Sequence, residues 1–386
     1  MLGGYRVIEL GMWVAAPGAG ALLADWGADV IKVEAPEGDP MRRLFALLAG
    51  HGQPESPPFD HDNRSKRSVV LDLGDPDDRQ RMDELVAGAD VLLTNLRPDA
   101  LARLGLDPAA TLAAHPRLVY ASITGYGLDG PDANRAGYDI GAFWARSGVA
   151  HTFATAGQPP FPLRGGFGDH TTALATVAGI LAALLERERT GRGCIVEASL
   201  LRTGMWCLGW DVAIQQRFGK VVPTAARAED PNPMAAPYAA GDGRWFWLLG
   251  VEADRQWPKL CTAMGRDDWA ADEGWATARG RRKGSTALVA ALDAAFAEHD
   301  RDELARRFDE HDVWWAPVNT LADLDDDPQV AAVGALVDVP EGAGAPAHRA
   351  AGTPVVFRPS GGAPRAGTTG PVPGLGQHSE EILGDG

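Results

Sequence analysis

Cysteine is scarce: 386 residues hold three, Cys194, Cys207 and Cys261. They form no CxxC pair and no metal-ligand spacing, which argues against a disulfide scaffold and a thiolate zinc site. A reducing cytoplasm is the expected compartment. Positive charge is also short. Lys and Arg total 36 against 52 Asp and Glu, a net charge of −16, so no general affinity for nucleic acid is expected, although a local basic pocket for a small anion stays open. Long apolar runs are missing. The longest, Thr171 to Leu185, is rich in Ala and Thr and too short to cross a bilayer. The opening MLGGYRVIEL lacks the basic and apolar regions of a signal peptide. The nine histidines show no HxxxH spacing, and no GxSxG elbow occurs, so neither a histidine zinc site nor a serine-hydrolase turn is expected. No metal and no membrane partner is expected.

What is present suits a large soluble fold. Hydrophobic residues make up 45% and charged residues 23%, near the globular norm and ample for a core that needs no staple. The length predicts two or three domains. Tyr5–Leu10 reads as a buried strand, Ala19–Trp26 as a helix with Pro17 near its start, and Asp29–Glu34 as a second strand. That order implies parallel strands joined by a right-handed crossover. Ser68–Leu71, Val91–Thr94 and Leu118–Ile123 read as further strands, with helices over Asp77–Ala89 and Pro98–Arg103 between them. The fold class is α/β, a doubly wound parallel sheet. Residues 125–168 are irregular and rich in Gly and Pro, a loop of the kind that carries sites. A long helix follows over His170–Arg187, then a strand at Cys194–Ala198 and a helix from Leu200 to about Arg217. Beyond Lys220 the composition shifts. A hairpin-like pair, Tyr238–Ala240 and Arg244–Leu249, and helices near Arg255–Met264 and Ser285–Glu298 suggest a second domain, with Trp245, Phe246, Trp247, Trp314 and Trp315 in its core. From about Val333 the chain reads as extended, with a loop-like tail over 361–374.

Several residues invite chemistry. Gly18 and Gly20 follow a strand, with Glu34 ending the next, a poor match to a dinucleotide fingerprint because Leu23 stands where the third glycine belongs. The basic run His61–Arg67, with Arg97 and Arg103 downstream, is open to two readings: a phosphate-bearing ligand or surface salt bridges. Asp169 follows Arg-Gly-Gly-Phe-Gly and precedes the long helix. It reads as an N-cap. That reading is favoured by the residues alone; the same geometry also allows a carboxylate kept ionised by a helix N-terminus, able to attack an activated acyl group while N–H groups of Gly165, Gly166 and Gly168 hold an oxyanion.

An ordered set of segments adds to this. It comprises VIELGMWVAAPGAGALLADWGADVIKVEAPEGDPMR (residues 7–42), NRSKRSVVLDL (63–73), ADVLLTNLRPDALARLGL (89–106), YASITGYGLDGP (120–131), GDHTTALATVAGILAALLERERTGRG (168–193), APVNTLADLDDDPQV (316–330) and GLGQHSEEIL (374–383). Together they resemble the class III CoA-transferases, the family of formyl-CoA transferase and the carnitine CoA-transferases, which also contains α-methylacyl-CoA racemase. The resemblance implies that Asp169 is the catalytic nucleophile, passing through an acyl-aspartyl anhydride and an aspartyl-CoA thioester. It implies that Trp13, Val14 and Ala15 contact CoA near the thioester and that Lys66, Asn95, Leu96 and Arg103 hold its nucleotide, with Tyr138 and Asp139 supporting the pocket. Ala35 stands where relatives often carry a basic residue, for which Arg42 or Arg43 is a candidate substitute. The racemase branch has a histidine at the position of Tyr138, and a phenol is a poor base near neutral pH, so transfer is favoured over racemisation. The remaining rival is an acyl-CoA-binding protein without turnover. Trp314 and Trp315 replace smaller residues and would suit a flat or apolar acyl group. The resemblance further implies a Rossmann-like large domain built from both chain ends (1–199 and the return over 319–386), a linker over 200–224, a smaller α+β domain over 225–318, and an interlocked homodimer. Acyl-CoA and a carboxylic acid are the implied substrates, with no tightly bound cofactor.

Overall fold

Short runs rich in Val, Ile and Leu, the central ones buried on both sides, make a sheet covered on both faces. In the computed structural model, which describes residues 1–44, 56–362 and 366–384, these runs are β1 (Arg6–Leu10), β2 (Asp29–Glu34), β3 (Arg67–Val70), β4 (Val91–Thr94), β5 (Val119–Thr124) and β6 (Ile195–Ser199). They form one parallel six-stranded sheet in the order β3-β2-β1-β4-β5-β6. The direction of winding reverses between β1 and β4, the switch point at which open α/β sheets bind ligands. Alternate side chains enter opposite cores. Val7, Val30, Val91 and Val119 pack with α1 (Ala15–Asp25), while Ile8, Ile31, Leu92 and Tyr120 pack with Met82 and Val86 of α2 (Pro76–Ala87) and Leu101 of α3 (Pro98–Arg103).

Helix α1 starts four residues before the expected Ala19, so Pro17 lies in its first turn, where a missing N–H costs little. Gly20 is required there, because a Cβ on it would sit 1.9 Å from Glu9 Oε2. Helix α4 (Phe167–Thr190) also starts earlier than expected. Its N-cap is Gly166 at φ 83°, a left-handed conformation that suits glycine, so Asp169 occupies the first turn and is not the cap. Among the described residues α4 alone is long and apolar enough to cross a membrane; it packs against α1, β5 and β6 as a core helix. The expected helix from Leu200, also bracketed as a linker over 200–224, is two helices broken at Leu208: α5 (Leu200–Cys207) and α6 (Gly209–Phe218). No residue of α6 is buried.

The chain divides into two units. The first joins Met1–Thr152, Phe161–Val221 and Ala331–Gly386. In its C-terminal part, residues expected to be merely extended form an antiparallel hairpin, β10 (Leu336–Val339) with β11 (His348–Ala351). The expected loop-like tail lies partly outside the described residues. Farther on, His378 N–H donates to Ser68 O at 2.9 Å and Ser379 Oγ accepts from Val70 N–H at 3.0 Å, covering the edge of β3.

The second unit, Phe153–Pro160 with Val222–Val330, holds the antiparallel strands β7 (Pro237–Ala239), β8 (Trp245–Leu248) and β9 (Trp315–Pro317). Its core packs Tyr238, Phe246, Trp257, Phe296 and Phe308. The strand alternation on β8 buries Phe246 and Leu248 and leaves Trp245 and Trp247 on the exposed side, not in the core as expected. Trp314 and Trp315 are half-buried: Arg255 covers the Trp314 ring, and Trp315 Nε1 donates to Asp309.

Candidate active site

The loop after β1 is fixed from two sides. Asn95, just beyond β4, accepts from Met12 N–H at 3.0 Å and donates from Nδ2 to Met12 O at 2.7 Å. Trp13 is held at φ 67°, rare for a bulky residue, while its N–H donates to Asp39 Oδ1 at 3.2 Å. Behind this lies a buried chain of alternating charge. Lys32 Nζ reaches Asp39 Oδ2 (2.9 Å), Glu9 Oε1 (3.1 Å) and Gly11 O (3.0 Å). Lys66 Nζ reaches Glu9 Oε2 (2.7 Å), Pro17 O (2.9 Å) and Asn63 Oδ1 (3.0 Å).

Burial works against the Lys32 ammonium, but Glu9, Asp39 and Glu34 together outweigh it and push its pKa up. For Lys66 burial prevails over the single glutamate, with Lys32 adding repulsion, and brings it down to about 8. Lys66 is only 4% exposed. Its expected place against a phosphate is therefore corrected: all its donors serve the interior beneath α1.

Asp169 lines a cleft of about 310 Å³ with Trp13, Ala15, Asn95, Leu96 and Tyr138. Arg97, which the sequence groups with the basic run as a candidate for a phosphate-bearing ligand, also lines it, as does Arg135, which the sequence does not single out. Arg97 follows Asn95 by two positions, a signal the sequence held; Arg135 sits in the irregular loop, where nothing marked it. Tyr138 opens the π-helical segment Tyr138–Arg146. It is 62% exposed, at φ 31°, with its ring 6.0 Å from Trp13 and edge-on to it. Two of the four described non-glycine residues with positive φ thus meet across this cleft, as strained backbone does at sites.

Asp139 is buried, and its Oδ2 accepts from Gly166 N–H at 3.0 Å. That N–H is therefore engaged, which corrects the expectation that it is free for an oxyanion. Gly168 is required for packing, since a Cβ would lie 2.6 Å from Phe143 Cγ; only Gly165 looks onto open space. Asp169 itself is half-buried. Burial first, then Asp139 and Asp62, push its pKa up to about 7, with His170 opposing. The expected picture of a carboxylate kept plainly ionised by the helix end is thus corrected to one balanced between its two forms near neutral pH.

Three other residues lie elsewhere than expected. Val14 packs with Met41, Phe59 and Val372 in a core cluster and does not line the cleft. Arg103 is exposed in the last turn of α3, outside that lining. Arg42 pairs with Glu34 at 2.7 Å and lies over the Phe59 ring, so its guanidinium is committed, whereas Arg43 is exposed and donates once, to Glu37 O. Ala35 lines an adjoining groove of about 340 Å³ at the ends of β1, β2 and β3, which shares Met12 and Leu96 with the cleft.

The chain is similar to known proteins over almost its whole length. A family model described as CoA-transferase family III matches residues 2–379. The chain is 35% identical over 333 residues to cinnamoyl-CoA:phenyllactate CoA-transferase of Clostridium sporogenes, covering 85% of this chain and 81% of that one. It is 31% identical over 385 residues to (R)-2-hydroxy-4-methylpentanoate CoA-transferase of Clostridioides difficile, covering 99% and 94%. The crystal structure of a CAIB/BAIF family protein from Brucella suis matches with a TM-score of 0.85 at 32% identity, over 99% of this chain and 98% of that one.

Proposed function

The chain belongs to CoA-transferase family III, and within that activity we propose that Asp169 carries the acyl group and then CoA as covalent intermediates. An Asp169 carboxylate oxygen attacks the thioester carbonyl of an acyl-CoA, expels CoA thiolate and forms a mixed anhydride. The thiolate then attacks the aspartyl carbonyl of that anhydride, releasing the donor acid and leaving an aspartyl-CoA thioester. An acceptor carboxylate attacks the carbonyl of this thioester, expels CoA thiolate and forms a second anhydride. The thiolate attacks the acceptor carbonyl, giving the new acyl-CoA and free Asp169. No water is consumed, so thioester energy passes from donor to acceptor.

The observation that carries this reading is a carboxyl pushed up to about 7 in a cleft at the switch point. A desolvated carboxylate is the more reactive nucleophile, and its neutral form is accessible in the same pH range. Asn95, Leu96, Arg97 and Arg103 are our candidates to hold the nucleotide along the groove at Ala35, with Trp13, Ala15 and Tyr138 around the thioester. In the test, Asp169→Asn should still bind acyl-CoA but turn over at least ~10³-fold more slowly. Acyl-CoA with hydroxylamine should convert wild-type Asp169 to a hydroxamate, seen as a mass shift on its peptide. Wild-type turnover in the Asn variant, or trapping at another residue, overturns the reading.

We also propose an interlocked homodimer. Trp206, Trp210, Ile214 and Phe218 recur every fourth residue along α5 and α6, and Trp210 is 90% exposed. Trp210, Ile214 and Phe218 share one face of α6, and with Trp206 on α5 before the break they form an exposed apolar surface that a partner would cover. Light scattering should report about twice the 40.8 kDa chain mass; a particle of one chain mass sinks the proposal.

A further inference from the structure

One residue beyond Asp169, the chain enters a different space. His170 lines a second cavity, of about 210 Å³, with Gly18, His61, Asp62, Arg64 and Ala173, and Asp169 is not among its lining residues. The His170 Nε2 lies 2.8 Å from Asp62 Oδ1, and Asp62 is buried at 2% exposure. Two glycines leave room for the imidazole. A Cβ on Gly18 of α1 would stand 3.2 Å from His170 Cδ2, and one on Gly166 would stand 3.3 Å from Cε1. Gly166 is the N-cap of α4, and its N–H is held by Asp139. The ring is thus wedged between two backbones, tied at one end to Asp62 and seated against the turn that launches the helix bearing Asp169.

The charges around this ring explain why an imidazole stands there. Three carboxylates, Asp62, Asp139 and Asp169, act on one another or on His170. The other basic groups are already committed or neutral. Arg64 Nε pairs with Asp25 at 2.9 Å, and its Nη1 meets His61 Nδ1 at 3.0 Å. Burial, chiefly, with help from Arg64 and His170, pushes the His61 pKa down despite Asp62. A guanidinium against His61 Nδ1 also speaks against a metal ion in this cluster, although His61, Asp62 and His170 come within 4.8 Å of one another. Burial acts against an imidazolium at His170, but Asp62, Asp169 and Asp139 outweigh it and raise its pKa. Among the described residues, His170 in turn is the neighbour that opposes burial, Asp139 and Asp62 at Asp169.

We infer that His170, anchored by Asp62 and wedged between Gly18 and Gly166, is a positioning residue that supplies the positive charge keeping the Asp169 carboxylate in its nucleophilic form. The inference rests on Asp169 being the nucleophile. It gives the reaction a charge partner that lines a separate cavity and not the cleft. Asp62 acts at one remove, holding the imidazolium while adding negative charge of its own.

The test is a pH profile together with a reciprocal titration, both on the full-length enzyme. For wild type, kcat/KM for exchange of labelled CoA should fall on the acid side along a limb set by Asp169. In His170→Gln, which keeps a hydrogen bond to Asp62 without the charge, that limb should move up by at least ~0.5 pH unit, roughly threefold in rate at pH 6, while the high-pH plateau stays within about threefold. His170→Lys should move the limb back. Linkage requires the converse, so the His170 imidazole, followed by NMR, should titrate lower in Asp169→Asn than in wild type; this arm does not depend on any His170 variant folding. An unmoved limb, a loss equal at every pH, or an unchanged His170 titration in Asp169→Asn overturns the inference. If Asp169→Asn keeps full turnover, the nucleophile assignment itself fails, and the two failures are told apart.

Discussion

Two regions of the first unit bury carboxylates, and they treat them in opposite ways. Beneath α1, Asp39, Lys32, Glu9 and Lys66 alternate in sign, so each acidic side chain touches an ammonium at 2.7–3.1 Å. At the start of α4, Asp62, Asp139 and Asp169 all act on His170, and Asp169 is left with its pKa pushed up to about 7. The first arrangement shapes the Trp13 loop and is complete in itself. The second leaves a charge unresolved where chemistry is proposed. Buried charge that is matched reads as architecture, and buried charge that is left unmatched reads as function.

The larger way to break this contrast is to unmatch the first cluster. Glu9→Gln leaves two buried ammonium groups facing one another, and should cost about 3–5 kcal/mol of stability, measured as a shift in the denaturant midpoint. A loss below about 1 kcal/mol would mean that the cluster is not held by its charges. The smaller way is to relieve the second. The folded Asp169 carboxyl keeps its proton up to about pH 7, whereas the unfolded chain releases it near 3.8. The residue therefore destabilises the fold increasingly from about pH 4 to pH 7 and constantly above. Asp169→Asn removes that penalty. The variant should be more stable than wild type by roughly 1–3 kcal/mol at pH 8 and equal to it below pH 4, read from melting curves at the two pH values. No gain at pH 8 would place Asp169 in the matched class.

The sheet was legible because its strands are aliphatic runs separated by Gly, Pro and polar turns, and the order of helices between them leaves little choice of handedness. What escaped was what depends on partners distant in sequence. Lys66 sits in a basic run and reads as surface. Only the fold shows Glu9 of β1 waiting for it, and the local hint was Gly20, whose absent side chain makes the space. The start of α4 was misread because Asp is a strong cap signal, while the cap belongs to Gly166, where left-handed backbone outweighs side-chain preference. Hydrophobicity alone puts the Trp245 and Trp247 rings in the core, against the two-residue period that sets their face. Asp169, Tyr138 and Asn95 were named by resemblance to a family, and composition alone would have left Asp169 a helix cap.

The cover over β3 has a consequence in time. A ribosome that has passed Ser199 has already made all six strands of the sheet, but residues 376–381 lie about 180 residues farther along. At about 5–20 residues per second, the outer strand waits on the order of 10–40 s with the amides of Ser68 and Val70 facing solvent. During that interval the nascent chain presents a bare strand to any neighbour able to pair with it. The lone basic side chain on that strand, Arg67, engages Asp29 of the adjacent strand at 2.7 Å and acquires its second partner, Glu381, only when the later segment arrives. The last segment to be made is thus the one that closes the sheet's outer edge.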